Sequence, residues 1–367
     1  MNATGGRRTA LFDEHMRLGA RIVDFGGFEM PVSYAGVLKE HDAVRHRAGL
    51  FDLSHMGQFR MKGEAVAAWA DTLTTNNVAT MQPLQARYNL FCSEIGGTHD
   101  DTIFYRLPGD RWLLVVNASN AQKIWDLLRD RPPGVSLENR HGEDALVAVQ
   151  GPQSVSMLQP HVDDDLAAMK YYTCLETEVE GVPALVARTG YTGEDGFEIF
   201  VDGAFASNLW NALLRAHARE GLQPCGLGAR DVLRLEAGMP LYGHELTEEI
   251  TPVAGGQAWA VKLKKPVFRG REALAQQIAR DDFARVAGIV MQGRVPARQG
   301  YPVFAGARRV GEVCSGSFAP SVDGGTNVAT ALLEREAATI GTHLAVEIRG
   351  ARHDARVVAM PFYKRSS

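Results

Sequence analysis

Past the acidic pair Asp281–Asp282 the chain changes texture. The stretches "ARVAGIVM", "YPVFAGARRVGEVCSG" and "HLAVEIRGARHDARVVAM" are short β-type runs set around tight turns. Strands this short, joined by turns this tight, leave few architectures: the segment folds as an antiparallel sandwich or barrel. A β-rich C-terminal domain over 281–367 is therefore expected.

Upstream, strands and helices alternate without a regular βαβ order. A loop, "DFGGFEMPVSYAG", leads into a helix, "VLKEHDAVRHRAG", with Gly49 as its C-terminal stop. "FDLSHMGQFRMKG" reads as one strand and "EAVAAWADTL" as a short helix. "RYNLFCSEIGGTHDDTIFYRL" reads as two strands joined through a glycine turn. "RWLLVVN" is a strand, followed by a helix over "ASNAQKIWDLLRD" capped by Ser119 or Asn120. The cluster "DRPPGVS" marks a domain edge. Beyond it, "ALVAVQGPQSVSMLQ" is a buried strand turning at Gly151 into a helix, with Pro152 near its first turn. "PALVARTGYTGEDGFEIFV" is strand, glycine-rich turn, strand. "AFASNLWNALLRAHAREG" is a helix ending at Gly221, and "ARDVLRLEAG" another ending at Gly238. The mixture predicts an α+β fold rather than a doubly wound sheet, and 367 residues ask for two or three domains.

Composition excludes several function classes. A net charge of −4 gives no general attraction to nucleic acid or to an anionic membrane. No window approaches eighteen unbroken apolar residues. The N-terminus has two arginines but no apolar core, so it does not read as a secretory signal, and a cytoplasmic location is expected. Cys92, Cys174, Cys225 and Cys314 lie far apart and form no CxxC pair, the pattern of reduced, singly packed thiols. "YGHELTEE" has Glu248 where a zinc helix needs its second histidine, so no metal is expected. "CGLGARD" has Asp231 where a dinucleotide loop needs its third glycine.

Two stretches invite chemistry. In "IGGTHDDTIFY" a strand would send Asp101 to the face of Ile103 and Tyr105, and Asp100 to that of Thr102 and Phe104. Only one acid can then line a given pocket; the plainer reading is a pair of solvated turn acids beside an exposed His99. In "RTGYTGEDGFEI", Gly190, Gly193 and Gly196 permit positive φ and close approach of a ligand. Glu194 and Asp195 disfavour an anionic guest there. Glu198, on the strand that follows, has the chemistry to accept two N–H bonds from an amidine-like edge such as that of a pterin; a charged residue on a surface hairpin is the plainer alternative. Arg230 sits in the first turn of its helix, where the dipole disfavours a cation. It is offset by acids such as Asp231 or else serves a ligand. The basic run "VKLKKPVFRGR" suits an acidic partner, or is a solvated face.

Taken in order, these runs resemble the T-protein of the glycine cleavage system, the family of tetrahydrofolate-dependent aminomethyltransferases. The matching runs include "IVDFGGFEMPV", "RHRAGLFDLSHMG", "GGTHDD", "VVNASN", "VQGP", "RTGYTGEDGFEI" and "GLGARDVLRLEAGMPLYGHEL". "TPVAGGQAW", "SGSFAPSVDGGTNVATALL" and "MPF" complete a series spanning nearly the whole chain.

The resemblance implies a three-domain cloverleaf around a central channel. A discontinuous folate-binding domain would comprise 1–55 and 140–280, an α+β domain 56–139 would carry the Asp101 strand, and 281–367 would be jelly-roll or barrel-like. It also implies transfer of a one-carbon unit from the aminomethyl-dihydrolipoyl arm of the H-protein to tetrahydrofolate, releasing ammonia and giving 5,10-methylenetetrahydrofolate. Folate and lipoylated H-protein are the implied partners, and the mitochondrial matrix the location if the source is eukaryotic. Because the carrier sulfur already holds the carbon, the enzyme needs neither a cysteine nucleophile nor a metal; positioning an amine and managing its protons suits a carboxylate.

By position, Asp101 matches the catalytic acid, Glu198 the acid that grips the pterin and Arg230 the arginine beside the folate. Tyr88, Asn117, Tyr191 and the backbone of Val115 match folate-channel positions, with Trp259 either a channel wall or a core residue. Phe28 replaces a more usual tryptophan, and His99 stands where relatives carry an apolar residue. In the tail, Tyr363, Lys364 or Arg365 would meet the folate tail. Two functions on the same fold compete: the folate half of an oxidative demethylase, and a non-transferase folate scaffold. The former carries a flavin domain and the latter a "KGCYxGQ" signature, neither of which is in this sequence.

Overall fold

The structure, a computed structural model, describes residues 5–365. The chain packs as two compact units. One runs to Trp69 and adds Val78–Tyr88 and Thr102–Asp231; the other is Ala70–Asn77, Asn89–Asp101 and the chain from Val232 onward.

The first unit is built on a six-stranded sheet in the order Cys174–Val179, Val182–Ala187, Gly196–Asp202, Asp144–Gln150, Gly49–Asp52, Gln223–Cys225. Its central strand, "DALVAVQ", is buried at every residue, which is why it reads as an unbroken apolar run rather than an alternating one. It pairs antiparallel with Gly196–Asp202 and Gly49–Asp52. The helix Ala206–Ala216 turns Leu209, Trp210 and Leu213 inward against Val147, Val149, Phe197 and Ile199, the stripe that helical spacing provides.

A five-stranded sheet follows the order Ala86–Cys92, Thr98–Leu107, Arg111–Val116, Gly57–Lys62, Ser136–Asn139. Residues 285–358 close into a barrel of six strands: Arg285–Met291, Thr326–Leu333, Arg308–Ala319, Pro302–Ala305, His343–Ile348 and Ala351–Val358. Ala329, Ala331 and Leu333 on one strand and Leu344, Val346 and Ile348 on another fill its core, the period of two that a barrel wall imposes. Mixed α/β architecture with a closed β-barrel at the C-terminal end is the fold class expected from the sequence.

Several local expectations give way. Gly49 does not end the helix Val37–His46; it opens the Gly49–Asp52 strand. Its glycine identity comes from packing, since a Cβ there would lie 2.6 Å from both Cys225 Sγ and Val44 Cγ2. "FDLSHMGQFRMKG" is split between two strands, Gly49–Asp52 and Gly57–Lys62, in different sheets. A 3-10 turn, Ala118–Asn120, leads into the helix Ala121–Leu128, and Asn120 sits at its cap position without a side-chain cap bond. The helix expected to end at Gly221 ends at Ala216. At Gly238 the expectation holds: φ is +67°, Met239 N–H donates to Arg234 O (2.9 Å), and Gly238 N–H donates to Leu235 O (3.0 Å), a left-handed cap that satisfies the last carbonyls. Within the basic run, Lys265 is no solvated face. It is 5% exposed and donates to Thr74 O (2.6 Å) and Asn76 O (2.9 Å), with Asp71 at 3.3 Å.

Candidate active site

The glycine-rich loop between Val182–Ala187 and Gly196–Asp202 is pinned by three side chains from elsewhere in its unit or at its own base. Arg188 forks onto Asp195, Nε to Oδ1 at 3.0 Å and Nη2 to Oδ2 at 2.5 Å. Arg45 Nη1 donates to Thr192 O and to Glu194 Oε1, each at 2.7 Å, in a buried ion pair. Gln150, at the end of the central strand, donates from Nε2 to Thr189 O (3.0 Å) and accepts from Thr192 Oγ1 (3.0 Å). Both loop acids are therefore neutralised by arginines, so their charge does not decide which guest the loop takes.

The three glycines also act differently from expectation. Only Gly193 has positive φ (+80°). Gly190 and Gly196 are required by close approach: a Cβ at Gly190 would lie 2.0 Å from Gln150 Oε1, and one at Gly196 2.4 Å from its Nε2. At both glycines the space a side chain would take is filled by the Gln150 amide.

This scaffold presents Glu198. The residue is only 7% exposed, so its carboxylate must be satisfied by hydrogen bonds. Thr189 Oγ1 donates to Oε2 at 2.5 Å and the Tyr105 hydroxyl donates to the same oxygen at 3.1 Å. Oε1 makes no hydrogen bond among the described residues. Tyr105 is wholly buried against Phe200, with ring centroids 5.3 Å apart. Burial and the neighbouring Glu198 push its hydroxyl well above the usual phenol value, so it stays a donor.

Arg230 is half-buried, with its guanidinium over the Tyr191 ring at 4.6 Å, a stacked geometry that suits a planar cation. That guanidinium makes no hydrogen bond or ion pair among the described residues. Burial lowers its affinity for the proton, while Glu198 and Tyr191 act in the opposite direction. Glu198, Arg230 and Tyr191 are thus brought together as one group.

His55, which nothing in the sequence marked, belongs to the same electrostatic neighbourhood. It is 2% exposed, and burial takes it down to about 4, with Arg230 and His141 adding to the fall and Asp52 opposing it. Its Nδ1 has no hydrogen-bond partner among the described residues.

The remaining expected residues lie on the five-stranded sheet or in the second unit. Tyr88 is half-buried in Ala86–Cys92. Val115 is buried in Arg111–Val116, in register with Ile103 on one side and Gln58 on the other. Asn117 follows directly, half-buried at the start of the 3-10 turn.

The two acids lie inside the strand Thr98–Leu107 rather than in the turn before it. Burial alternates along it: Asp100 is wholly buried and Asp101 half-buried. The reading of both as solvated turn acids fails, because Asp100 faces the core. His99 sets Nδ1 3.3 Å from Glu248 Oε1, so the residue that spoils the zinc motif is its partner. Trp259 is 57% exposed and its indole donates to Gln257 Oε1 at 2.9 Å, which removes the core alternative. In the tail, Tyr363 N–H donates to Glu236 O at 2.8 Å, while Lys364 and Arg365 are exposed. Among the described residues, no three His, Cys, Asp or Glu side chains converge to hold a metal ion.

A mixed α/β body followed by a closed barrel is the architecture of a group-transfer enzyme family with models for each part. The GCVT N-terminal domain matches residues 11–265, and the glycine cleavage T-protein C-terminal barrel domain matches 285–364. The aminomethyltransferase of Streptomyces avermitilis is 48% identical over the whole of both chains, and that of Desulfitobacterium hafniense 45% identical over 98% of each. The crystal structure of the glycine cleavage system aminomethyltransferase T from Bartonella henselae covers 98% of both chains with a TM-score of 0.91 at 33% identity. The chain belongs to the glycine cleavage T-protein family. It is an aminomethyltransferase, as the sequence runs implied.

Proposed function

We propose that the Glu198 group binds the pterin of tetrahydrofolate, and that Asp101 manages the proton of the folate amine that receives the one-carbon unit. The observation that carries this reading is a buried carboxylate with one oxygen held by protein hydroxyls and the other without a hydrogen bond among the described residues. A pterin edge offers adjacent N–H donors of the kind such an oxygen lacks. Arg230, with no carboxylate partner among the described residues, supplies a donor for a ligand carbonyl, and the Tyr191 ring holds its plane. Tyr88, the backbone of Val115 and Asn117 line the folate site in this reading.

The donor substrate is the aminomethyl group on the dihydrolipoyl arm of H-protein. Its carbon passes to two nitrogens of the folate as its C–N and C–S bonds break; ammonia leaves with the nitrogen, and the arm's sulfur takes up a proton released by the folate amines to become a free thiol. The chain's contribution is orientation and proton handling. Asp101, half-buried beside a buried Asp100, is the acid open enough to reach a substrate. A cytoplasmic location belongs to the same reading, supported by four buried, free cysteines. So does the division into 1–55 with 140–280, 56–139 and 281–367, supported by strand ranges that keep each large sheet almost wholly within one of these segments.

The test is ammonia release dependent on both tetrahydrofolate and lipoylated H-protein, comparing wild type with Asp101→Asn and Asp100→Asn. Asp101→Asn is expected to lose about 10²–10⁴-fold in rate, and Asp100→Asn to lose folded protein rather than turnover per folded molecule. Equal activity in all three would remove the role given to Asp101.

A further inference from the structure

Glu198 offers its ligand one oxygen, not two. Oε2 already accepts from Thr189 Oγ1 and from the Tyr105 hydroxyl, so protein donors crowd that oxygen and leave Oε1 to a ligand. The two hydroxyls are 3.4 Å apart and come from different sheets. Tyr105 lies on Thr98–Leu107 and Thr189 just past Val182–Ala187. Each is itself fixed. Tyr105 is wholly buried and packed on Phe200, and the carbonyl of Thr189 accepts from Gln150 Nε2. A fork-to-fork pair using both carboxylate oxygens would have to share Oε2 with these two donors.

We propose that Tyr105 and Thr189 are positioning residues for folate recognition: they lock Oε2 of Glu198 and leave Oε1 as the single acceptor on which the pterin's 2-amino and N3–H donors converge. The proposal rests on the folate reading above and adds how the carboxylate is aimed. Held from two directions, Glu198 loses the freedom to rotate that a lone carboxylate keeps, and a ligand need not supply that ordering on binding. Without the clamp the carboxylate turns, and Oε1 is no longer presented.

The test is a cycle between enzyme and ligand on the full-length protein. Binding of tetrahydrofolate and of its 2-desamino analogue is measured by calorimetry for wild type, Thr189→Val, Tyr105→Phe, Thr189→Ser and Glu198→Gln, and for Thr189→Val combined with Glu198→Gln. Thr189→Val and Tyr105→Phe are each expected to weaken tetrahydrofolate by about tenfold, to weaken the analogue much less, and to raise KM for tetrahydrofolate while leaving KM for the H-protein substrate in place. Thr189→Ser, which keeps the hydroxyl, is expected to bind as wild type. In the Glu198→Gln background, Thr189→Val should cost nothing further.

Equal losses for both ligands, losses that persist without the Glu198 carboxylate, or no loss at all would overturn the proposal. Wild type that fails to bind tetrahydrofolate would overturn the folate reading itself, a result distinguishable from wild-type binding that Thr189→Val and Tyr105→Phe leave unchanged. Should one substitution prevent folding, the other carries the same cycle, because one hydroxyl sits on the strand Thr98–Leu107 and the other on the loop after Val182–Ala187.

Discussion

His55 makes the stability of its unit sensitive to acid. Free histidine takes a proton near pH 6.5, whereas burial takes His55 down to about 4. Above pH 6.5 neither the folded nor the unfolded chain protonates it, and it costs nothing. As pH falls from 6.5 toward 4, the unfolded chain binds a proton that the folded chain refuses. Stability therefore falls across that window, by up to about 1.4 kcal/mol per pH step from this residue and roughly 3 kcal/mol in all. His141, whose Nε2 sits 3.0 Å from His55 O and which burial and Arg7 also take down to about 4, adds in the same direction. Urea unfolding between pH 7 and 4 should show this slope in wild type and a shallower one in His55→Gln. Parallel slopes would mean that acid acts elsewhere. Nothing local in "DLSHMG" announces the burial, since a histidine's environment is set by what packs on it from distant segments.

Among elements, the loop of residues 188–195 makes the sharpest prediction, because its glycines answer to a neighbour rather than to their own backbone angles. Gly190→Ala would ordinarily stabilise by removing freedom from the unfolded chain, about 0.4–1 kcal/mol. Here the new Cβ lies 2.0 Å from Gln150 Oε1, so the buried amide must move and release its bonds to Thr189 and Thr192. Each buried group left unpaired costs about 1–3 kcal/mol. Gly190→Ala should therefore destabilise, and adding Gln150→Ala should relieve the clash while leaving those partners unsatisfied. Denaturant melts ordering the proteins as wild type, double, single would support this; a stabilised Gly190→Ala would refute it. The same loop shows how far sequence carries. The strand–turn–strand outline, the alternation that separates Asp100 from Asp101, and Glu198 beside a glycine turn are all periodic or compositional facts and were legible. The clamp was not: Tyr105, Thr189, Gln150 and Arg45 lie 39 to 149 positions from some of their partners, and only the folded chain brings them within hydrogen-bond reach.

On the scale of the whole molecule, the barrel was the most legible part, because its walls alternate and its turns are tight. Its dependence on the preceding chain was hidden. The family models leave a seam between 265 and 285, yet the compact unit containing the barrel begins upstream, at Val232 in the last long segment. Arg234, 1% exposed, pairs with buried Glu245 at 3.0 Å and donates to Ser315 Oγ on a barrel strand at 2.8 Å. Thr330, on the neighbouring barrel strand, donates to the other oxygen of Glu245. Leu235 packs on Ala319, Val322 and Val328. The strand pattern of the barrel says nothing of this, because Arg234 reads as one more helix cation in "ARDVLRLEAG". Removing one partner of a buried ion pair leaves the other charge uncompensated, at about 3–5 kcal/mol. Arg234→Met should therefore destabilise the barrel although it lies outside it, with faster hydrogen exchange along Arg308–Ala319 and Thr326–Leu333. Glu245→Gln, which keeps one acceptor oxygen but turns an amide NH2 toward either Arg234 or Thr330 and leaves the Arg234 charge uncompensated, should destabilise the barrel too. A fragment of 283–367 alone should be less stable than the same barrel in the full chain, since Ser315 and Thr330 lose their partners and Val328 its cover. Barrel amides that exchange at wild-type rates in Arg234→Met would show instead that the barrel stands on its own strands and that the upstream helix merely leans on it.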